Sequence, residues 1–180
     1  MQRLAVLPIA LLALASSVVS SGATPSPPVL TPAGIGPVQF GAAKNATVTR
    51  LGSLLGRPSG RFVNSGCSPR YTEVAWGDLV AEFRDVRLSG FRYLLGGWPL
   101  GKHHGQPSRT KGSPLLRTGE GTTVGDTLQS VRLRYGQLQR VGADSWRSIG
   151  GLVFVDNAKH DPVPPRARIV EIKIGTCGDF

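Results

Sequence analysis

Two segments far apart in the chain share one arrangement of glycines and apolar residues. They are "VQFGAAKNATVTRLGSLLG" (38–56) and "TTVGDTLQSVRLRYG" (122–136). When their closing glycines are aligned, the apolar positions coincide at a spacing of three and four residues, which corresponds to one face of a helix. The coinciding pairs are Val48 with Leu128, Leu51 with Val131, and Leu55 with Tyr135. We therefore predict a helix in each segment, ended by a glycine in the left-handed conformation.

Each predicted helix is preceded by a glycine, Gly41 in the first segment and Gly125 in the second. The distance from opening to closing glycine is four residues longer in the first segment, which is about one helical turn. The first helix is therefore predicted to be the longer. Asp126 is the expected N-cap of the second helix, with Gln129 completing a capping box. Ala42, at the corresponding place in the first, has no capping side chain.

Strand-like segments follow each helix in the same order. "LVAEF" (79–83) corresponds to "LVFV" (152–155), and "GFRYLL" (90–95) corresponds to "IVEIKI" (169–174). Short alternating segments joined by short turns favour antiparallel pairing. The sequence therefore predicts an α+β fold, in which two helix-plus-antiparallel-strand repeats form one sheet with the helices on one face.

The first residues have the features of an export signal. Arg3 is followed by an apolar run and then by small residues, as in a cleaved signal peptide, and no later run is long enough to cross a bilayer. We expect a secreted or extracytoplasmic protein. The expected division is a signal peptide (1–23), a Pro-rich spacer (24–33), a first repeat (34–95), a basic Gly/Pro loop (96–121) and a second repeat (122–180).

The chain has two cysteines, Cys67 and Cys177. In an exported protein an isolated pair is most simply one disulfide bond. Such a bond would join the two halves, and closing so long a loop stabilises a fold by about 4–5 kcal/mol in the chain-entropy model. Two free thiols are the alternative.

The formal net charge of +10 allows binding to acidic proteins, acidic polymers or anionic lipids. The arginines are scattered along the sequence, and no nucleic-acid-binding motif accompanies them. Nucleic acid is therefore not the expected partner.

Signatures of catalysis and of metal binding are weak. No G-x-S-x-G elbow is present, and the three histidines, His103, His104 and His160, lack the spacing of a metal site. Glu73 with Glu82 or Asp85 could supply paired carboxylates, or could equally form the wet face of a strand. We predict no metal and no cofactor, and a hydrolase of unknown substrate stays an alternative.

The 96–121 segment is the candidate contact region. It is long for a connection inside a compact domain, and it combines an aromatic residue with several basic ones. Trp76 and Trp146 are instead expected in the core. The candidate partner-binding residues are Trp98, Lys102, His103, His104, Arg109 and Lys111.

The duplicated order of glycine, short helix, glycine and strands resembles the family of beta-lactamase inhibitory protein. In that family two repeats build a curved sheet that grips a partner protein. The signature of the small outer-membrane lipoproteins of barrel assembly is also similar: "VGDTLQSVRLRYG" is the closer match to it, and "LGSLLGRP" carries its Gly-x-Pro ending. The chain further resembles secreted actinobacterial proteins. It differs from the inhibitors in having one cysteine in each half and in its long basic 96–121 loop.

The resemblance implies a secreted, non-enzymatic protein-binding or inhibitor-like module whose partner is another extracytoplasmic protein. It does not identify that partner, because one fold serves many functions. A basic envelope-associated protein that binds an acidic surface polymer or lipid is the alternative of a different class.

Overall fold

The computed structural model describes residues 26–64, 71–96, 115–158, 162 and 164–175. Within these ranges the chain forms two helices and twelve strands. The helices are α1 (Lys44–Leu55) and α2 (Leu128–Tyr135). The strands are β1 (Val29–Thr31), β2 (Gly34–Ile35), β3 (Val38–Gln39), β4 (Gly60–Asn64), β5 (Tyr71–Trp76), β6 (Leu79–Arg84), β7 (Arg87–Leu94), β8 (Arg117–Thr118), β9 (Leu138–Arg140), β10 (Ser145–Ser148), β11 (Val153–Asp156) and β12 (Ile169–Ile174).

The strands form two sheets. The large sheet has eight antiparallel strands in the order β4-β5-β6-β7-β12-β11-β10-β9, so that β7 and β12 meet in its middle. The small sheet has the order β3-β2-β1-β8, with β8 parallel to β1. The predicted α+β class is confirmed. The prediction of one sheet is wrong, because these four short strands form a second one.

Two strands of the small sheet, β1 and β8, lie in segments that the sequence predicts to be connections. Leu30, in the segment predicted to be a spacer, is fully buried in β1. Leu116 and Thr118, at the end of the predicted 96–121 loop, are also buried. The parallel pairing of β1 with β8 joins residues far apart in sequence, and local composition carries no signal of such a contact.

The helices begin and end close to the predicted positions. α1 has 12 residues and α2 has 8, which is the predicted difference of one turn. Each ends at a glycine with positive φ, +85° at Gly56 and +68° at Gly136. Leu51 of α1 and Val131 of α2 are fully buried, as their position on the apolar helix face predicts.

The predicted capping box of α2 is wrong. Thr127 is the N-cap, and its side-chain oxygen accepts a hydrogen bond from the Ser130 N–H at 3.2 Å. Asp126 lies one residue earlier, where its carboxylate accepts from the Thr123 N–H at 3.1 Å and pairs with Arg134 at 2.5 Å. A threonine next to an aspartate offers two possible caps, and the spacing to Gln129 pointed to the wrong one.

Both helices are attached to the large sheet by equivalent hydrogen bonds. The Gly41 N–H donates to the Leu88 carbonyl at 2.8 Å, and the Gly125 N–H donates to the Ile169 carbonyl at 2.7 Å. Leu88 and Ile169 thus hold corresponding positions in β7 and β12. The predicted alignment of 90–95 with 169–174 is therefore two residues out of register.

An arginine reinforces each of these attachments. Arg87 Nη1 donates to the carbonyl of Gly41, and Arg168 Nη1 donates to the carbonyl of Gly125, both at 2.8 Å. A register irregularity also follows in each half, leaving Ser89 unmatched in β7 and Val170 unmatched in β12. The entrance to each helix is therefore fixed against the beginning of the last strand of its own half.

The core lies between the helices and one face of the large sheet. Cross-strand pairing places Val74, Ala81, Phe91 and Ile174 on one side, and Phe154 and Trp146 continue it. Leu51, Leu128 and Val131 of the helices belong to the same hydrophobic cluster. We call this side of the sheet the core face. Trp76 and Trp146 are both buried there, as predicted.

A close approach of the two central strands explains the glycine at position 90. A Cβ added to Gly90 would lie 2.6 Å from the Ile174 carbonyl oxygen and 2.7 Å from that of Gly175. Both obstacles are backbone atoms, which cannot swing aside. Gly52, in the interior of α1, has open space around its Cα.

We expect Gly90→Ala to lower the free energy of unfolding by about 1–3 kcal/mol, as overpacking does. Gly52→Ala should raise it by about 1 kcal/mol, because alanine favours a helix over glycine. Urea denaturation of both variants measures the two effects. A Gly90→Ala protein as stable as the wild type would contradict the close approach.

The hairpin turn between β6 and β7 contains a strained valine. Asp85 and Val86 have φ of +48° and +58°, as both central residues of a type I′ turn require. A β-branched residue is disfavoured in this conformation. Val86 is 72% exposed, so packing offsets little of the strain.

We expect Val86→Gly to raise the free energy of unfolding by about 1 kcal/mol, because glycine removes the left-handed penalty. The matched control is Val63→Gly in β4, which is also exposed but has no positive φ. That variant should be destabilised, since glycine weakens a strand. Urea midpoints that shift the same way in both variants would contradict the assignment of strain to the turn.

Candidate functional site

The side of the large sheet opposite the core face carries most of the charged side chains of its strands. Glu73 is directly opposite Glu82, Val80 is opposite Arg92, and Arg92 is opposite Lys173. Directly opposed residues point to the same side of a sheet. We call this side the far face. Its residues in the described strands include Tyr71, Glu73, Ala75, Val80, Glu82, Arg84, Arg92, Leu94, Glu171, Lys173, Val153 and Arg147.

A buried ion-pair network lies in the first half of the far face. Arg92 Nη2 lies 2.9 Å from Glu73 Oε1, and Arg92 Nε lies 2.6 Å from Glu82 Oε1. The two glutamate side chains are 2% exposed and the arginine side chain is 18% exposed. One guanidinium, supplied by β7, thus bridges two carboxylates that β5 and β6 hold next to each other.

This arrangement decides between the two interpretations of the glutamate pair. Glu73 and Glu82 do not form a wet strand face, because both are buried beneath Arg92. Their burial also leaves no access for a sugar ring between the carboxylates, which paired-carboxylate hydrolysis requires. Asp85 is exposed in the hairpin turn, away from the pair. The network therefore holds three neighbouring strands together.

Cations form the outer layer above the buried acids. The Arg84 guanidinium lies 4.9 Å from the centroid of the Tyr71 ring and donates a hydrogen bond to its hydroxyl group. Arg84, Arg92 and Lys173 are all partly exposed. Further along the sheet, Arg147 is also partly exposed. Most of the charged side chains that are partly exposed on the far face are therefore positive.

Tyr135 is the clearest case of a shifted ionisation, and it lies in the core region. Burial raises the pKa of Tyr135 well above its usual range, and the hydrogen bond and negative charge of Glu120 raise it further. The ring packs against Phe154 with centroids 4.9 Å apart. Shifted groups often mark active sites, but burial of the ring is the largest cause of this shift, so we assign Tyr135 to the core and not to a site.

The residues singled out from the 96–121 segment lie outside the described residues. These are Trp98, Lys102, His103, His104, Arg109 and Lys111. Cys67, Cys177 and His160 lie outside them as well. The contact region and the disulfide bond therefore stay predictions.

In the part of the chain that the structure describes, no three His, Cys, Asp or Glu side chains lie close enough together to hold a metal ion. Neither of the helices found there is long and apolar enough to cross a membrane.

The Arg92 network was missed in the sequence, although a signal for it was present. Glu73, Glu82 and Arg92 each interrupt an apolar run in three consecutive strands. Charges of opposite sign at such positions suggest an ion pair, because an unpaired buried charge is costly. Recognising it requires the strand register, which only the folded structure gives.

We expect Arg92→Met to lower the free energy of unfolding by about 3–5 kcal/mol, because it leaves two buried carboxylates without their counter-ion. Arg50→Met, on the exposed side of α1, should change it by less than about 0.5 kcal/mol. Adding Glu73→Gln and Glu82→Gln to Arg92→Met should restore part of the loss. Urea denaturation of the four proteins measures these effects. Equal stability of the two single variants would contradict the role of the network.

Comparison of the chain with protein-family models, with curated proteins and with solved structures finds no match. The resemblances drawn from the glycine and helix pattern therefore stay predictions.

Proposed function

We propose that this chain is an exported, non-enzymatic binding module, which holds another extracytoplasmic protein against the far face and the 96–121 segment. The observation that carries the proposal is the difference between the two faces of the large sheet, one covered by helices and the other charged. The helices pack on the core face. The far face instead presents a fixed layer of charge.

The rigidity of this layer supports a binding role. Arg92 is held by two carboxylates, and Arg84 is held by the Tyr71 ring and hydroxyl. Side chains already fixed in place lose little conformational entropy when a partner binds. Arginine and tyrosine are also among the residues that dominate protein interfaces.

The similarity of the two halves supports the resemblance to a two-repeat binding fold. Equivalent backbone bonds attach each helix to the last strand of its half, and β7 pairs with β12 at the centre. When Leu88 is matched to Ile169, Arg92 is matched to Lys173, and these two residues face each other across the central pair. A cation from each half would thus lie on the approximate two-fold axis of a duplicated fold.

The charge of the far face indicates the kind of partner. Its partly exposed residues include Arg84, Arg92, Lys173 and Arg147, with Glu171 as the acidic exception. A positive surface attracts and orients a negative one. We therefore infer that the partner presents an acidic surface. Trp98 and the basic residues of the 96–121 segment would add an aromatic anchor and further positive charge.

The test uses the mature protein as bait for secreted and envelope proteins, together with two charge-reversal variants. Lys173→Glu changes the far face, and Arg50→Glu makes the same change of charge on the exposed surface of α1. We expect one partner to be retained by the wild type and by Arg50→Glu. Lys173→Glu should bind the purified partner about tenfold more weakly, a loss of about 1.4 kcal/mol.

Circular dichroism and urea denaturation of each variant separate a lost contact from a lost fold. Trp98→Ala, measured in the same assay, tests the contribution of the 96–121 segment. Failure to retain any protein at low and moderate salt would contradict the proposal. Equal weakening by Lys173→Glu and Arg50→Glu would also contradict it, since general charge would then explain the binding.

A further inference from the structure

Two clefts lie at corresponding places in the two halves, where the chain leaves each helix and enters an outer strand of the large sheet. The first, between α1 and β4, has a volume of about 420 Å³ and is lined by Arg57, Pro58, Ser59, Gly60 and Arg61. The second, beside β9, has a volume of about 330 Å³ and is lined by Gln137, Leu138, Gln139, Arg147, Ser148 and Ile149. Their different charge is the basis of the inference.

The floor of the first cleft is held firmly against the sheet. The Ser59 N–H donates to the Ala75 carbonyl at 2.8 Å, and the Ser59 hydroxyl donates to the same carbonyl at 3.1 Å. That hydroxyl also accepts from the Gly77 N–H at 3.0 Å. The Trp76 indole N–H donates to the Gly56 carbonyl at 3.1 Å. The backbone that carries the two arginines is therefore fixed before any ligand arrives.

Arg57 and Arg61 are exposed, and within the described part of the chain neither guanidinium has a hydrogen-bond or ion-pair partner. They lie on a stretch of only five residues around one concave surface. Guanidinium groups present forked donors that match phosphate and carboxylate oxygens. Two of them in one cleft supply two full positive charges.

Beside the second cleft, the arginine that corresponds to Arg61 is already engaged. Arg61 pairs with Val74, which pairs with Ala81 in the next strand. Arg140 pairs with Trp146, which pairs with Phe154 in the same way. The two arginines therefore hold corresponding positions. Arg140 donates to the carbonyls of Gly142 and Ala143 at 3.2 and 2.7 Å and lies 5.7 Å from the Trp146 ring.

The residues that line the second cleft continue this contrast. Gln137 follows the closing glycine of α2, as Arg57 follows that of α1. Arg147, which also lines the second cleft, already has an interaction partner. The two cations without partners are thus particular to the first cleft.

We propose that the cleft of Arg57 and Arg61 binds a phosphate group, carried by an anionic polymer or by a lipid headgroup. The carbonyl end of α1 opposes an anion with about half an elementary charge, which two guanidinium groups exceed. A phosphate group carries up to two negative charges and accepts forked hydrogen bonds. This site is on the edge of the sheet and does not depend on the proposed protein-binding function.

The test measures binding of the mature wild-type protein to inorganic phosphate and to polyphosphate by isothermal titration calorimetry. Flotation with vesicles of phosphatidylcholine, with and without phosphatidylglycerol, tests the lipid source. The variant R57Q/R61Q removes both charges, and R50Q/R166Q removes two exposed charges elsewhere. We expect R57Q/R61Q to weaken binding at least about tenfold, and R50Q/R166Q to weaken it less than about twofold.

Binding to polyphosphate alone would identify a soluble or polymeric phosphate as the source, and binding to the anionic vesicles alone would identify a headgroup. Either result, lost in R57Q/R61Q and kept in R50Q/R166Q, supports the proposal. Equal losses in the two variants would overturn it, because net charge alone would then account for binding. Absence of binding to every probe by the wild type would also overturn it.

Discussion

The pairing of β7 with β12 is the contact on which the rest of the architecture depends. It joins two four-stranded halves into one eight-stranded sheet and so creates both the core face and the far face. Gly90 allows the strands to approach closely at one end of this pairing. Each helix entrance is bonded to one of these same two strands. The position of the helices therefore follows from the position of the central pair.

The Arg92 network has a different role from the apolar core. A buried ion pair contributes little net stability, because its attraction is largely offset by the loss of hydration. Removing one partner is nevertheless costly. A register slip by one residue would send Glu73, Glu82 and Arg92 to the wrong sides of their strands. The network is thus best understood as a device that fixes the register of β5, β6 and β7.

The features that could be predicted from the sequence are those encoded locally. The two closing glycines, the extra turn of α1 and the apolar faces of both helices depend on residues within a few positions of one another. The small sheet could not be predicted, because β8 pairs with β1 although the two strands are far apart in the sequence. The charge bridge was missed for the same reason, because Glu73 and Arg92 meet only after three strands have paired. The cap was misassigned to Asp126 because its neighbour Thr127 can also cap a helix.

The central pairing also has a consequence for how the protein assembles. Each half builds its own meander of adjacent strands, and each meander ends with a strand whose outer edge is satisfied only by the other half. During refolding at high concentration, β7 of one molecule can therefore pair with β12 of another. Such an exchange would give an intertwined dimer with the same contacts as the monomer. Protein concentration during refolding would then determine whether the product is a monomer or a strand-exchanged dimer.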